Sequence, residues 1–326
     1  MQFGLNVIQT QPVFDTTIRQ ALLAESLCYD VVWMHEHHSK AAPSHSSPML
    51  GLALLAGRTR RIRLGTNMLL LPLHCPLTVA EESAELDAIS GGRFILGIAA
   101  GYTPHEFEAF GVSLTDRGRR MDEGLRLIRG TWDGTAVHHA PVGSDAFALF
   151  PPPRQTPGPP IYVGGLARAA IRRAALLGDG YVLSSGTAAD ELPARIAAYH
   201  DALTAVAPGT APRLPLALNR VVHVVGSRAE KEEAERFFSE ALLSTYVSLR
   251  HDDVLAREQE FRRTPAEVAG LHFVIGEPGE CIERFAEFAE LGIGHVNCLM
   301  NFGGPDPERV EKSIVRLGED VLQAFA

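Results

Sequence analysis

The feature that most constrains the fold is a repeated alternation of short apolar runs with segments of helical pattern. Eight such runs occur, at 3–8, 31–34, 62–71, 94–100, 161–165, 180–185, 216–225 and 295–300. Nearly unbroken apolar character is typical of strands in a parallel sheet whose faces are covered by helices. This number of units in 326 residues predicts an α/β protein with a closed (β/α)8 TIM barrel. A doubly wound open sheet is the competing fold.

The segments between the runs carry helix signals at their ends. Asp15 is predicted to be an N-cap, because its short side chain can accept a backbone N–H. Pro76 stands near the start of a later helix and Gly91 just past its end, the usual asymmetry of helix termini. The last helix is predicted to present one core-facing stripe, made of Val310, Ile314, Leu317 and Val321.

The regular spacing of the runs is broken once. The first four begin about 30 residues apart, whereas the gap from 94 to 161 is double that. Segment 137–160 contains seven prolines and no helical period, so we predict an excursion over one rim. A second irregular and strongly charged stretch is predicted at 248–270. We expect one barrel domain over 1–326, with these insertions at the C-terminal rim as lids or as solvated loops.

Composition limits the classes of partner. A net charge of −9 disfavours nucleic acids and anionic membranes, which need clustered Lys and Arg, so a small organic substrate is expected. Cys28, Cys75, Cys281 and Cys298 form no CxxC pair, which predicts reduced thiols and no zinc site. The start MQFGLNVI carries no signal-peptide pattern, and no apolar run approaches the roughly 20 residues that span a bilayer. A cytoplasmic protein is therefore expected.

A cluster of polar residues, His35, Glu36, His37 and His38, follows the second apolar run directly. Barrel enzymes keep catalytic groups at this end of a strand. Alternation along a strand predicts that His35 and His37 face one way and that Glu36 and His38 face the other. The cluster could bind a metal, act in acid–base chemistry, or simply form hydrogen bonds at the rim. A metal hydrolase needs further ligands at later strand ends, and NMLLLP, AAGY, VGG, SSG and MNFGG offer none, so we predict no metal site.

Acid–base chemistry by an imidazole would require a cofactor or substrate site elsewhere. The segment IYVGGLARAAIRRAALLGDG predicts one, because a strand leads through Gly164 and Gly165 into a helix that begins near Arg168. Small residues let phosphate oxygens approach backbone N–H groups at a helix N-terminus, and a guanidinium adds a charged fork. A glycine pair before a helix is a weak signal by itself.

Several motifs together resemble the bacterial luciferase-like flavin monooxygenase family. They are YDVVWMHEHH, GTNMLLLPLHCPLTVAEESAELDAISGGRFILGIAAGYTPHEFEAFG, PPIYVGG and GDGYVLSSG, and the resemblance covers nearly the whole chain. It implies a TIM barrel, usually dimeric, that binds reduced FMN at its C-terminal rim. Oxygen would then give a flavin hydroperoxide that oxygenates a small organic substrate. On this reading Glu36, His37 and His38 match the family's Glu-His-His, and His37 matches its catalytic histidine.

The resemblance also implies the cofactor contacts. Asn67 and Met68 match a pair joined by an unusual cis peptide beneath the flavin ring, and Gly164, Gly165 and Arg168 match the phosphate-binding turn. The phosphate arginine of the family aligns with Gly118, which is bracketed by Arg117, Arg119 and Arg120, so the responsible arginine stays open. The full set of expected cofactor-binding residues is Asn67, Met68, Ala99, Gly101, Tyr102, Arg117, Arg119, Gly164, Gly165 and Arg168.

Three positions depart from the luciferase pattern. Ala99 and Ala100 replace a Cys and an Arg, which removes one expected phosphate contact that Arg168 can supply instead. The common Ala-His-Pro appears as His74-Cys75-Pro76, with the imidazole displaced by one position. Cys28 stands at a helix end where Gly is usual, which predicts a different cap or left-handed backbone strain.

The reaction class depends on the cofactor. Relatives that use an 8-hydroxy-5-deazaflavin coenzyme tend to carry Asp-His where this chain has Glu-His-His, which favours FMN. The deazaflavin would make the chain a hydride-transfer oxidoreductase, and a non-catalytic flavin-binding relative is a third hypothesis. No GxGxxG motif follows a strand, so we expect a separate flavin reductase. The resemblance also implies a dimer, which we expect to be a homodimer, with a heterodimer as the alternative. Tyr102, Phe107 and Phe110 are expected either to line an apolar pocket or to be ordinary packing.

Overall fold

A computed structural model describes residues 1–7, 14–38, 45–135, 149–206, 215–248 and 263–326. The strands are β1 Gln2–Asn6, β2 Val31–Met34, β3 Arg63–Thr66, β4 Leu69–Leu70, β5 Phe94–Ala99, β6 Ile161–Gly164, β7 Gly180–Leu183, β8 Leu216–Val224, β9 Phe273–Gly276 and β10 His295–Leu299. The helices are α1 Asp15–Ser26, α2 Pro48–Arg58, α3 Pro76–Ser90, α4 Pro104–Ala109, α5 Arg117–Asp133, α6 Arg168–Leu177, α7 Leu192–Val206, α8 Arg228–Ser248, α9 Pro265–His272, α10 Pro278–Glu290 and α11 Pro307–Arg316.

Eight parallel strands close into a barrel. Their order is β10, β1, β2, β3, β5, β6, β7 and β8, and β8 pairs in turn with β10. The closing register runs from His295 opposite Ala217 to Cys298 opposite Arg220. The short β4 pairs with β5, and β9 pairs with the C-terminal part of β8, from Val221 to Val224. The predicted (β/α)8 TIM barrel is confirmed, and the open doubly wound sheet is excluded by the β8–β10 pairing.

The barrel interior is filled around Trp33, which is fully buried. A Cβ atom at Gly4 would lie 2.2 Å from Trp33 Nε1, and one at Gly65 would lie 2.2 Å from Trp33 Cζ3. The indole can therefore occupy the interior only because its two neighbouring strands, β1 and β3, carry glycine there. Around it pack the inward-facing side chains Val31, Ile95, Tyr162, Val182 and Ala217.

The helices confirm most of the end signals. Helix α3 begins at Pro76, and Gly91 ends it in the left-handed conformation with φ 75°. The predicted N-cap at Asp15 is wrong by one residue, because Phe14 is the N-cap and Asp15 lies in the first turn, where its charge suits the helix dipole. The core-facing stripe is confirmed, since its four members are fully buried: Val310, Ile314, Leu317 and Val321. Helix α11 ends at Arg316, and the last two members lie in the π-helical turn Leu317–Val321 that continues it.

The two predicted insertions differ in outcome. Within 137–160, residues 149–160 are described and contain neither helix nor strand, while 137–148 lie outside the described residues. Within 248–270, residues 249–262 lie outside them too. The prediction of irregular structure in this second segment is wrong from residue 265, where α9 begins. Thr264 caps this helix by accepting from Glu267 N, and the Glu267 side chain accepts from Thr264 N. This capping box starts a helix despite the charged composition.

Across the described ranges, no helix is both long enough and apolar enough to cross a membrane.

Cys28 adopts the predicted left-handed conformation, with φ 62°. It is exposed, so its thiol gains little from packing. A side chain in this region costs roughly 1 kcal/mol, which glycine avoids. We expect Cys28→Gly to raise the free energy of unfolding by about 1 kcal/mol in urea titrations. Cys28→Ala is the control, because it removes the thiol but keeps the Cβ atom; equal stabilisation by both substitutions would contradict the backbone explanation.

Candidate active site

Loops that follow β2, β4 and β5, together with the end of β6, meet at the C-terminal rim of the barrel. The first loop carries His35, Glu36, His37 and His38 after β2 ends at Met34. Their backbone is tied to the neighbouring strand connection, because Glu36 N donates to Met68 O at 3.3 Å. The apolar run of β2 therefore ends at the rim, and the polar residues that follow it lie there, as the sequence predicts.

His37 is held by a carboxylate that the sequence analysis did not identify. Its Nδ1 lies 3.1 Å from Oε1 of Glu106, whose side chain is 0% exposed, while the imidazole is 19% exposed. The same oxygen accepts from His38 N at 2.7 Å. Although burial alone would raise the pKa of Glu106, these hydrogen bonds lower it, so the ionised carboxylate accepts from Nδ1–H. The geometry leaves His37 Nε2 as the nitrogen that can exchange a proton in the site.

Glu36 is the buried centre of a second group. Its Oε1 accepts from His38 Nε2 at 2.9 Å and from His74 Nε2 at 2.8 Å, and its Oε2 accepts from Leu70 N at 2.6 Å. Burial opposes ionisation, but these donors lower the pKa of Glu36 to about 2. The hydrogen bond to Glu36 is in turn the main cause that raises the pKa of His38. Glu36 and His38 thus form a charged, hydrogen-bonded support for the loop.

The predicted alternation within the cluster is confirmed. His35 and His37 have ring centroids 6.0 Å apart, and His38 is bonded to Glu36 on the other side. His35 points toward the barrel interior, where its Nδ1 lies 3.0 Å from Asn6 Oδ1. Desolvation, with the nearby charges of His37 and His45, lowers the pKa of His35 to about 3. With so low a pKa, His35 is a weak base and carries no acidic proton to donate as an imidazolium near pH 7, so His37 is the stronger acid–base candidate.

The pair Asn67 and Met68, between β3 and β4, is joined by a cis peptide bond, as the resemblance implies. The Asn67 side chain turns into the barrel and donates to Asn219 Oδ1 at 2.8 Å. The Met68 side chain covers two strands, because a Cβ atom at Gly97 would lie 3.2 Å from its sulfur and one at Gly164 would lie 3.1 Å from its Cγ. Met68 therefore connects the loop His35–His38, which we call the histidine loop, with the end of β6.

The end of β6 has the backbone of an anion site. Gly165 has φ 142°, a conformation that side chains rarely adopt. Helix α6 begins at Arg168, which is exposed, and its N-cap Ala167 makes no side-chain cap hydrogen bond. Tyr181 OH fixes the turn by donating to Gly165 O at 2.7 Å. The open helix N-terminus and the nearby guanidinium suit a phosphate group.

The two arginines expected from α5 differ in their surroundings. Arg119 is 59% exposed and pairs with Asp116 at 3.6 Å and Glu123 at 2.9 Å on its own helix surface. Arg117 donates to Leu114 O at 2.7 Å. The aligned Gly118 lies near α6, since Arg173 donates to its carbonyl oxygen at 3.3 Å. Arg117 keeps more of its donors available than Arg119, whose charge is already matched by two carboxylates.

The segment from Gly101 to Phe110 contains both site and packing residues. Gly101, directly after Ala99 and Ala100, has φ 72°, which turns the chain away from β5. Tyr102 lies beside His37, with ring centroids 6.1 Å apart, and Phe110 lies 4.5 Å from the His38 ring. Both aromatic residues are partly exposed. Phe107, by contrast, is buried with Leu70 and Leu73, so it is ordinary packing.

Glu106 and His74, both of which bond to the loop His35–His38, are not among the site residues predicted from the sequence. They lie beyond the strand ends, on α4 and just before α3. A weak signal for Glu106 is that PHEFEAFG follows a strand end and places an acidic residue in the first turn of a helix. For His74 the signal is its departure from the family's Ala-His-Pro, which displaces the imidazole by one position.

Comparisons with known proteins agree with the fold and with the position of the site. A closed parallel barrel with polar loops at its C-terminal rim defines a large class of enzymes. Within that class, the model of the family of luciferase-like monooxygenases matches residues 1–295, and the chain belongs to that family. It is 31% identical over 315 residues, 91% of this chain and 83% of the relative, to 4-hydroxyprotoasukamycin monooxygenase of Streptomyces nodosus subsp. asukaensis.

Other relatives show the chemical range of the barrel. The chain is 24% identical over 336 residues to an F420-dependent glucose-6-phosphate dehydrogenase of Microbacterium testaceum, covering 99% of this chain and 96% of that protein. The crystal structure of a monooxygenase from Streptomyces bottropensis matches with a TM-score of 0.83 and 25% identity, over 100% of both chains. The relatives thus include a monooxygenase and an F420-dependent dehydrogenase, which supports an oxidoreductase.

Proposed function

We propose that this chain is an FMN-dependent monooxygenase that inserts one oxygen atom of O2 into a small organic substrate. The observation that carries the proposal is the pair of His37 and Glu106 at the rim, where a partly exposed imidazole is oriented by a fully buried carboxylate. Such a pair fixes the tautomer and keeps the outer nitrogen ready for proton transfer. The similarity to a monooxygenase over most of the chain supports the same reaction.

The residues present fit a flavin. Met68 lies between the histidine loop and the turn at Gly164 and Gly165. Its side chain packs against Gly97 and Gly164, and its carbonyl oxygen accepts from Glu36 N in the histidine loop. A ring over Asn67 and Met68 would lie beside His37, with Tyr102 on the same side. The phosphate would be held by the backbone near Gly164 and Gly165 and by Arg168, with Arg117 as the second cation. When bound, reduced FMN supplies the two electrons that activate O2.

Within this arrangement each residue of the cluster has a separate task. His37 would transfer the proton at Nε2, while Glu106 holds its Nδ1–H. Glu36 and His38 would hold the geometry of the loop, because their hydrogen bonds fix the backbone on both sides of His37. Tyr102 and Phe110 would form an apolar wall that favours an aromatic or other apolar substrate and limits access of water.

A second candidate function is suggested by one of the relatives. A relative that aligns with 99% of this chain is an F420-dependent glucose-6-phosphate dehydrogenase, and F420 is an 8-hydroxy-5-deazaflavin coenzyme. On the same barrel a deazaflavin coenzyme would carry hydride, and His37 would then exchange a proton with an alcohol or carbonyl substrate. The two functions share the cofactor position and the acid–base residue but differ in whether O2 is consumed.

The experiment that tests the proposed function uses the purified chain with each cofactor. We expect FMN to bind more tightly than the 8-hydroxy-5-deazaflavin coenzyme in fluorescence titrations. We also expect that photoreduced FMN supports O2 consumption coupled to substrate oxygenation, with an added flavin reductase and NADH able to replace the light. Tighter deazaflavin binding without O2 uptake would favour the dehydrogenase, and FMN binding without turnover on any oxygenase substrate would favour a passive flavin-binding protein.

We further propose a homodimer. Helix α2 exposes an apolar stripe in which Leu50 is 74% and Leu54 38% exposed, and Ile89 on the adjacent α3 is 59% exposed. Exposed leucines at this spacing are typical of a face covered by another copy. A Leu50→Glu substitution would appear twice in a symmetric interface, so we expect light scattering to show a monomer. Leu176→Glu on α6 is the control, because that leucine is 46% exposed outside the stripe; a Leu50→Glu protein with unchanged mass would contradict this interface.

A further inference from the structure

One carboxylate of the site, Glu36, joins two imidazoles, His38 and His74, that take no direct part in the proposed reaction. Glu36 Oε1 accepts from His38 Nε2 at 2.9 Å and from His74 Nε2 at 2.8 Å. The three side chains differ in accessibility: the two imidazoles are 15% and 28% exposed, and the carboxylate between them is 0% exposed. A buried carboxylate that is hydrogen-bonded to two partly accessible imidazoles can take a proton from one of them and give it to the other.

We infer that His38, Glu36 and His74 form a proton relay between the site and solvent, with His74 as the residue that exchanges protons with water. The inference rests on the proposed function and deepens it. His38 is adjacent to His37, shares Glu106 with it through the backbone amide, and lies against Phe110. His74 lies on a different loop, between the 3-10 turn Leu71–Leu73 and α3.

The proposed reaction needs a supply of protons. Anionic reduced flavin, O2, a substrate and one proton give oxidised flavin, oxygenated substrate and water, so that each turnover takes up one proton from solvent. Two electrons come from the flavin and two from the substrate, and together they reduce O2. An apolar wall at the site slows direct access of water, which makes a fixed pathway useful.

The charges around the relay are compatible with transfer. His38 faces Glu36 and Glu106, and His74 faces Glu36 and Glu82. Although burial opposes ionisation, the hydrogen bonds lower the pKa of Glu36, so its carboxyl holds a proton only briefly between the two imidazoles.

His74→Gln tests the relay, because glutamine can still donate to Glu36 but cannot pass a proton on. We expect turnover to fall by about tenfold or more with FMN affinity and thermal midpoint unchanged. In His74→Ala, which leaves space for a small base, added imidazole should restore most of the lost turnover. His105→Gln is the matched control, since His105 is an exposed histidine on α4 at the same rim. Wild-type turnover in His74→Gln would overturn the relay, as would a loss that imidazole leaves unrestored in His74→Ala.

A measurement on the protein without cofactor separates this inference from the proposed function. Two imidazoles that share one carboxylate should titrate as a coupled pair in ¹⁵N NMR, each with a curve broader than a single-site curve. In His74→Gln, the His38 curve should become narrower. Independent single-site curves for His38 and His74 in the wild-type protein would overturn the relay whatever the cofactor proves to be. Coupled titration in a protein that fails to oxygenate with FMN would instead count against the monooxygenase alone.

Discussion

Replacing His37 by alanine should lower turnover by roughly 10² or more, because this is the usual contribution of a positioned acid or base. FMN affinity should stay within a few-fold, since the flavin contacts proposed above lie on Met68, the twin glycines and the arginines. The expected pattern is therefore a fall in kcat with little change in cofactor binding. It can be measured as product formation at saturating reduced FMN, with binding followed separately by fluorescence.

The structure also gives a way to separate catalysis from stability. His37→Ala leaves the buried carboxylate of Glu106 with one donor fewer, which costs about 1–3 kcal/mol of folding free energy. His37→Asn restores an N–H donor but cannot transfer a proton, so it should recover stability and not turnover. His105→Ala, at an exposed position on the same rim, should change neither. Wild-type turnover in His37→Asn would remove His37 from the chemistry and leave it a structural role.

The fold could be predicted because its signal is periodic and local. Each of the eight predicted apolar runs contains a barrel strand, since burial on both faces favours apolar residues at most strand positions. Errors arose where one local contact outweighs the pattern. Asp15 lies inside the first turn of α1 and not at the cap, and Thr264 with Glu267 starts α9 in a stretch whose charges suggested a loop.

The site was predictable only in part, for a different reason. The positions of His37 and of Gly164 follow from strand ends, which the barrel brings to one rim. Glu106 and His74 reach the histidines through loops, and the conformation of a loop is decided by contacts that are distant in sequence. Glu106 is 69 residues from His37, and His74 is 38 residues from Glu36. No spacing rule connects such pairs, so only the structure shows which carboxylate serves which imidazole.

The largest expected effect on stability belongs to Glu36. Its pKa in the folded protein is about 2, below the ordinary value of 4.5, so its pairing stabilises the fold above pH 4.5 and is lost as the pH falls toward 2. At about 1.4 kcal/mol per tenfold, this difference corresponds to about 3 kcal/mol at neutral pH. His38 acts in the opposite sense: its raised pKa stabilises the fold below pH 6.5, and that contribution is lost as the pH rises through the folded value.

Glu36→Gln should therefore lower the free energy of unfolding by about 3 kcal/mol near pH 6, with the deficit shrinking on both sides. On the acid side it shrinks because wild-type Glu36 itself becomes protonated, and on the alkaline side because His38 becomes neutral. Urea unfolding from pH 4 to pH 9 measures the difference directly, with Glu108→Gln, an exposed glutamate on α4, as the control that should show no such curve. A deficit that stays constant across this range would mean that Glu36 acts through its shape and hydrogen bonds alone, and that its charge contributes nothing to holding the histidine loop.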